Sequence, residues 1–94
     1  MEEELEKIKR MINSGEIEEA IRLLDQLLAA HPEKRTAAVL YYLLGNAHRK
    51  QGNWQYALNN YQEAIALDAE SPAVEARHMM MDIMNFYNKD MFNQ

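Results

Sequence analysis

One offset organises this chain. Gly15 and Gly52 stand 37 residues apart, and so do Ala20 and Ala57, Leu24 and Tyr61, Leu28 and Ile65, and Pro32 and Ala69. A repeat of about this length is one supersecondary unit that cannot bury its apolar face alone, so successive copies must stack. The 94 residues hold two copies and a remainder. Such a chain folds as stacked units closed by a terminal element.

The apolar spacing within each unit is helical. Leu5, Ile8, Met11 and Ile12 recur at three- and four-residue intervals over Glu2–Ser14, and three glutamates fill the first turn. Gly15 suits a C-terminal cap, and Ile17, Ala20, Ile21, Leu24, Leu27 and Leu28 mark a second helix over Glu16–Ala30. His31-Pro32 ends it, because the residue before proline is pushed out of the α region. Thr36 is the expected N-cap of a third helix that runs to Gln51 and is closed by Gly52. Asn53 is positioned to cap a fourth, Trp54–Leu67. Ser71-Pro72 starts a fifth, an N-cap residue followed by proline at the first helical position, which runs to about Asn88. The prediction is an all-α single domain over 1–94. Repeat one spans about 2–32, repeat two 36–69, a C-terminal helix 71–88 and a short tail 89–94.

On a helical wheel Leu40, Tyr41, Leu44, Ala47 and His48 share the core side of the third helix, and Val39, Tyr42, Asn46 and Arg49 the opposite side. Gly45, Ala57 and Ala64 let two helix backbones approach closely. The fifth helix carries a broad apolar arc that includes Met79, Met80, Ile83, Met84, Phe86 and Tyr87. An offset of 34 from the third helix puts His78 and Asp82 at packing positions, whereas 35 puts Met79 and Ile83 there, and the apolar pattern favours 35. The aromatic end, Phe86, Tyr87 and Phe92, is expected to dock on the body or on another copy.

Tyr41-x2-Leu44-Gly45-x2-His48, then Ala57-x3-Tyr61, then Ala69, resembles the tetratricopeptide repeat, whose pattern runs Trp-x2-Leu-Gly-x2-Tyr, Ala-x3-Phe, Pro with a period of 34. Three extra residues are expected in the Pro32–Arg35 loop, and repeat one departs further, with Lys7-Ile8 where repeat two has Leu44-Gly45. The resemblance implies a protein–protein interaction module without chemistry of its own. The first helix of each hairpin would line a groove that binds a peptide or helix of a partner. Carried over by position, the groove takes Leu5, Lys9 and Ile12, then Tyr42, Asn46 and Arg49, helped by Arg77 and Met80. An asparagine at position 46 offers a peptide backbone both donor and acceptor. The basic clamp that some family members use for a C-terminal carboxylate is incomplete, with Leu5, Tyr42 and Ala73 at its expected polar positions. The second reading is a structural homo-oligomer, such as a homodimer, joined through the methionine and aromatic face of the C-terminal helix at Met80, Met84 and Tyr87.

Composition narrows the alternatives. Ten basic against 15 acidic residues, a net charge of −5, oppose binding to a phosphate backbone. The absence of cysteine excludes disulfides and thiolate metal sites. Ser14 and Ser71 lie at helix ends, and His31, His48 and His78 are scattered, so neither a nucleophile–base pair nor a metal motif forms. His48 occupies a packing position, His78 and Asp82 form a surface pair, and the methionines of one helix diverge too far to converge on Cu(I). No cofactor is expected. No apolar run reaches the ~20 residues that span a bilayer, and the acidic start is unlike a signal peptide, so the expected setting is cytoplasmic.

Overall fold

Residues 1–92 are described by the computed structural model, with side-chain surroundings through Phe86. Among the described residues there are five helices and no strand: α1 Glu2–Asn13, α2 Ile17–Ala30, α3 Lys34–Gln51, α4 Trp54–Leu67 and α5 Ala73–Phe92. Two glycines in the left-handed region make the hairpin turns. Gly15 (φ 92°) and Gly52 (φ 83°) adopt backbone angles that other residues reach only at a cost. Each sits in the same bond pattern. Glu16 N–H donates to the Met11 carbonyl and Gly15 N–H to Ile12, and likewise Asn53 donates to His48 and Gly52 to Arg49. Two orphan carbonyls at each helix end are thereby satisfied.

Helix starts show where local chemistry was misjudged. α3 begins at Lys34 with Glu33 at the cap, not at Thr36, because nothing after Pro32 resists helix once His31 and Glu33 have taken extended angles. Lys34 and Arg35, expected in a loop, are thus the first residues of α3. Asn53 occupies the N-cap position of α4, but its amide donates to Gln51 Oε1 and makes no cap bond. Ser71 does cap α5: its Oγ accepts the Ala73 N–H at 3.0 Å in a buried setting. α5 continues to Phe92, past the expected end at Asn88. The expected docking of Tyr87 and the residues after it lies outside the described side chains.

Burial falls into two clusters. Ile8, Met11, Ile12, Ala20 and Leu24 of the first hairpin pack with Leu40, Leu43, Leu44 and Ala47 of α3. Ala57, Tyr61 and Ala64 of α4 pack with Ala73 and Met80 of α5. Tyr41 and Tyr42, half-buried, touch both clusters and join them.

The register of α5 follows from this pairing. Met80 lies among Ala57 and Tyr61. The expected packing positions are corrected: neither His78 and Asp82 nor Met79 and Ile83 face the core. Met79 and Ile83, expected to pack, are 58% and 42% exposed, whereas Met80 is 1% exposed.

α3 and α4 make the most extensive interface in the molecule, and Gly45 permits it. A Cβ added there would come within 3.0 Å of three atoms of the Tyr61 ring, which is fully buried. Exchanging a mid-helix glycine for alanine ordinarily stabilises a helix by about 1 kcal/mol. Here overpacking reverses the sign. Gly45→Ala is expected to destabilise by about 1–3 kcal/mol, read as a lowered thermal midpoint. Adding Tyr61→Leu should recover part of the loss, as a double-mutant cycle would show.

His48 stacks on Tyr56 with ring centroids 5.3 Å apart, and its buried Nδ1 has no hydrogen-bond partner among the described residues. Burial lowers its pKa, and the charge of Asp25 opposes the shift only in part. The unfolded chain then binds more protons than the folded one just below the ordinary imidazole pKa of about 6.5. Stability should be full above that value and decline as pH falls toward the depressed pKa. Thermal melts of His48→Phe across the same range should lose this component of the slope.

Candidate peptide-binding groove

α1, α3 and the connection between α4 and α5 line a trough with two adjoining depressions. The first, about 290 Å³, lies between α1 and α3, with Lys9, Ile12 and Asn13 on one wall and Tyr42, Leu43, Asn46, Arg49 and Lys50 on the other. These walls are related by the repeat, since Lys9, Ile12 and Asn13 moved by 37 become Asn46, Arg49 and Lys50. The second, about 230 Å³, shares Lys9, Tyr42 and Leu43 with the first and continues to Val39, Asp68, Ser71 and Pro72. Each depression has room for a side chain or two.

Charge is distributed unevenly along the trough. Lys9, Arg49 and Lys50 line the first depression without a carboxylate, and Asp68 stands at the far end of the second. Lys9 reaches exposed Glu6 at 3.3 Å. In a chain of net charge −5 this is a local concentration of cations.

Asn46 is held in place from below. The hydroxyl of Tyr61 donates to Asn46 Oδ1 at 2.6 Å, leaving the amide N–H groups to face the trough. Tyr61 also lies 6.1 Å from Tyr42, ring centroid to centroid. Burial raises the Tyr61 pKa, against the effect of the nearby Arg49 guanidinium, so the hydroxyl stays protonated and able to donate. Tyr61 thus ties the floor of the trough to the core.

A family model for the tetratricopeptide repeat matches residues 38–71. Bacteroides fragilis protein BF1650, whose structure was determined by solution NMR, is 56% identical over 96% of this chain and 89% of its own, with a TM-score of 0.83. The chain belongs to the tetratricopeptide-repeat family. No curated protein matches it. Repeats of this family mediate protein–protein interaction, and among the described residues no helix is long and apolar enough to cross a membrane.

With the repeat positions in hand, the expected site residues sort cleanly. Tyr42, Asn46 and Arg49 come together with Lys9 and Ile12. Leu5 packs against the first core cluster and lines neither depression. Arg77 is half-buried on α5 and also lines neither. Met80 is corrected: packed on Ala57, Tyr61 and Ala64, it offers no surface to a peptide or to a second copy. Met84 is half-buried, and Tyr87 lies outside the described side chains. Asn13 and the connection at Asp68–Pro72 were missed. The 37-residue offset pointed to Asn13 through Lys50, whereas the connection carried no periodic signal at all. His78 and Asp82 form an exposed pair at 3.6 Å.

Tyr61→Phe keeps the ring against Gly45 and removes the hydroxyl that bonds Asn46 and meets Arg49. It should lower stability by about 0.5–1.5 kcal/mol, the usual net worth of one hydrogen bond, measurable as a shifted denaturant midpoint with an unchanged m-value.

Proposed function

We propose that the trough captures a peptide segment of a partner protein and that the chain is a binding module without catalysis. The observation that carries this reading is the convergence of Tyr42, Asn46 and Arg49 with Lys9 and Ile12 around one depression. Asn46 is pre-oriented by Tyr61, so less ordering is needed at the moment of binding. The amide of Asn46 engages the peptide backbone, Tyr42 and Ile12 supply apolar contact, and Arg49 with Lys50 attracts an anionic residue. Asp68 at the other end disfavours the reversed orientation through like-charge repulsion. The membership of a family of interaction repeats agrees with this role.

Binding of a fluorescent glutamate-rich peptide, followed by anisotropy, tests it. Arg49→Glu should weaken capture by about tenfold or more, the effect of losing one charge-assisted contact of about 1.5–3 kcal/mol. Added salt should weaken it too. Capture that survives Tyr42→Ala with Asn46→Ala unchanged would show that the trough is not the site.

A further inference from the structure

The two depressions of the trough differ in chemistry. Cations and amides surround the first, whereas the second has buried Ala38 and Leu43 at its floor, with Val39, Tyr42 and Pro72 around them. The polar residues of the second depression are engaged elsewhere. Ser71 Oγ accepts the Ala73 N–H at 3.0 Å, Asp68 Oδ1 accepts the Glu70 N–H at 3.0 Å, and Lys9 reaches Glu6 at 3.3 Å. What they leave is an apolar recess of about 230 Å³. Val39 on its wall is 38% exposed and belongs to neither core cluster. Neither core packing nor helix propensity accounts for a β-branched side chain there. Contact with something seated in the recess would.

We propose that this recess is the specificity subsite of the trough and takes one aliphatic side chain of the partner segment, beside the acidic residue that Arg49 and Lys50 attract. This rests on the trough being the binding site and adds which segment it selects. The two depressions share Lys9, Tyr42 and Leu43, so one short segment occupies both at once. In an extended segment, side chains two residues apart lie on one side, about 7 Å from each other, a reach that suits adjoining recesses. Complementarity assigns the carboxylate to the first and the aliphatic group to the second. A lysine side chain fits the recess less well, despite Asp68. Lys9 lines the same recess and repels it, and the exposed Asp68 carboxylate is screened by solvent. A second copy also fits less well. Leu5 and Ala20, which follow its acidic runs at Glu2, Glu3 and Glu4 and at Glu18 and Glu19, are packed with the first core cluster.

Three labelled peptides test the proposal on the full chain by anisotropy: Leu-Ser-Glu-Glu-Ser-Leu, and the same peptide with serine or with lysine in place of both leucines. A leucine on each side of the glutamates makes the comparison independent of chain direction. The leucine peptide should bind about tenfold or more tightly than the serine peptide, the effect of burying one aliphatic side chain. Val39→Ser, at an exposed position and so compatible with folding, should remove most of that difference and leave the serine peptide unaffected. Arg49→Glu should weaken both. Equal binding of the leucine and serine peptides would overturn the subsite while the trough stands. So would a lysine peptide that binds more tightly than the leucine one, since Asp68 would then govern the recess. A leucine preference that Val39→Ser leaves intact would place the apolar contact elsewhere and overturn it too. If none of the three binds, the trough reading falls and this one with it. Sedimentation equilibrium closes the other route: self-association that Val39→Ser abolishes would mean that a second copy fills the recess, and would overturn the proposal.

Discussion

The contact between Gly45 and Tyr61 governs much of this structure. An aromatic ring set into the notch of a glycine lets α3 and α4 approach more closely than two side-chain-bearing surfaces can. The ring does more than fill space. Its far end reaches through the helix layer and donates to Asn46 on the opposite surface. One side chain therefore sets the spacing of a hairpin and the orientation of a polar group in the trough. Packing and recognition are coupled at this residue, and neither is adjustable alone.

The first repeat solves the same problem differently. Ile8 stands at the position of Gly45 and Leu24 at that of Tyr61, both fully buried. Where repeat two has a glycine–tyrosine pair, repeat one has two aliphatic residues of intermediate size, which differ from it in both volume and shape. Without the notch α1 and α2 touch less extensively than α3 and α4 do. Without the tyrosine hydroxyl nothing beneath Lys9 matches the support given to Asn46.

Much of this architecture was legible from residue spacing. The glycine turns, the helix over Trp54–Leu67 and the serine–proline start of α5 follow from local chemistry that no tertiary contact overrides. Tyr42, Asn46 and Arg49 were legible as one face because α3 has a narrow core side. α5 was not legible in the same way. Its apolar residues cover nearly half the wheel, so periodicity alone does not say which part meets the core, and a one-residue error in register exchanges Met80 for Met79. The buried partners Ala57 and Tyr61 decide the matter, and those are long-range facts. The start of α3 was misread for the opposite reason: Thr36 is a good cap in isolation, but Glu33 already holds the geometry a helix start needs. The hydroxyl of Tyr61 reaching Asn46, 15 positions away, has no signature in spacing at all.

The shape of the molecule explains why so much of its surface remains to be used. Its shortest extent is 17 Å, less than two helix diameters of about 10–12 Å. In so thin a layer α1 and α3 each keep a face turned to the trough. The repeat thus multiplies surface faster than it multiplies core. What differs from copy to copy is the chemistry written on that face: Lys9 and Ile12 on α1, then Asn46 and Arg49 on α3. The buried positions must conserve volume to stack, but the trough positions are under no such constraint. The chemistry of the trough can therefore change from one wall to the other without disturbing the packing beneath it, and that chemistry selects what lies in it.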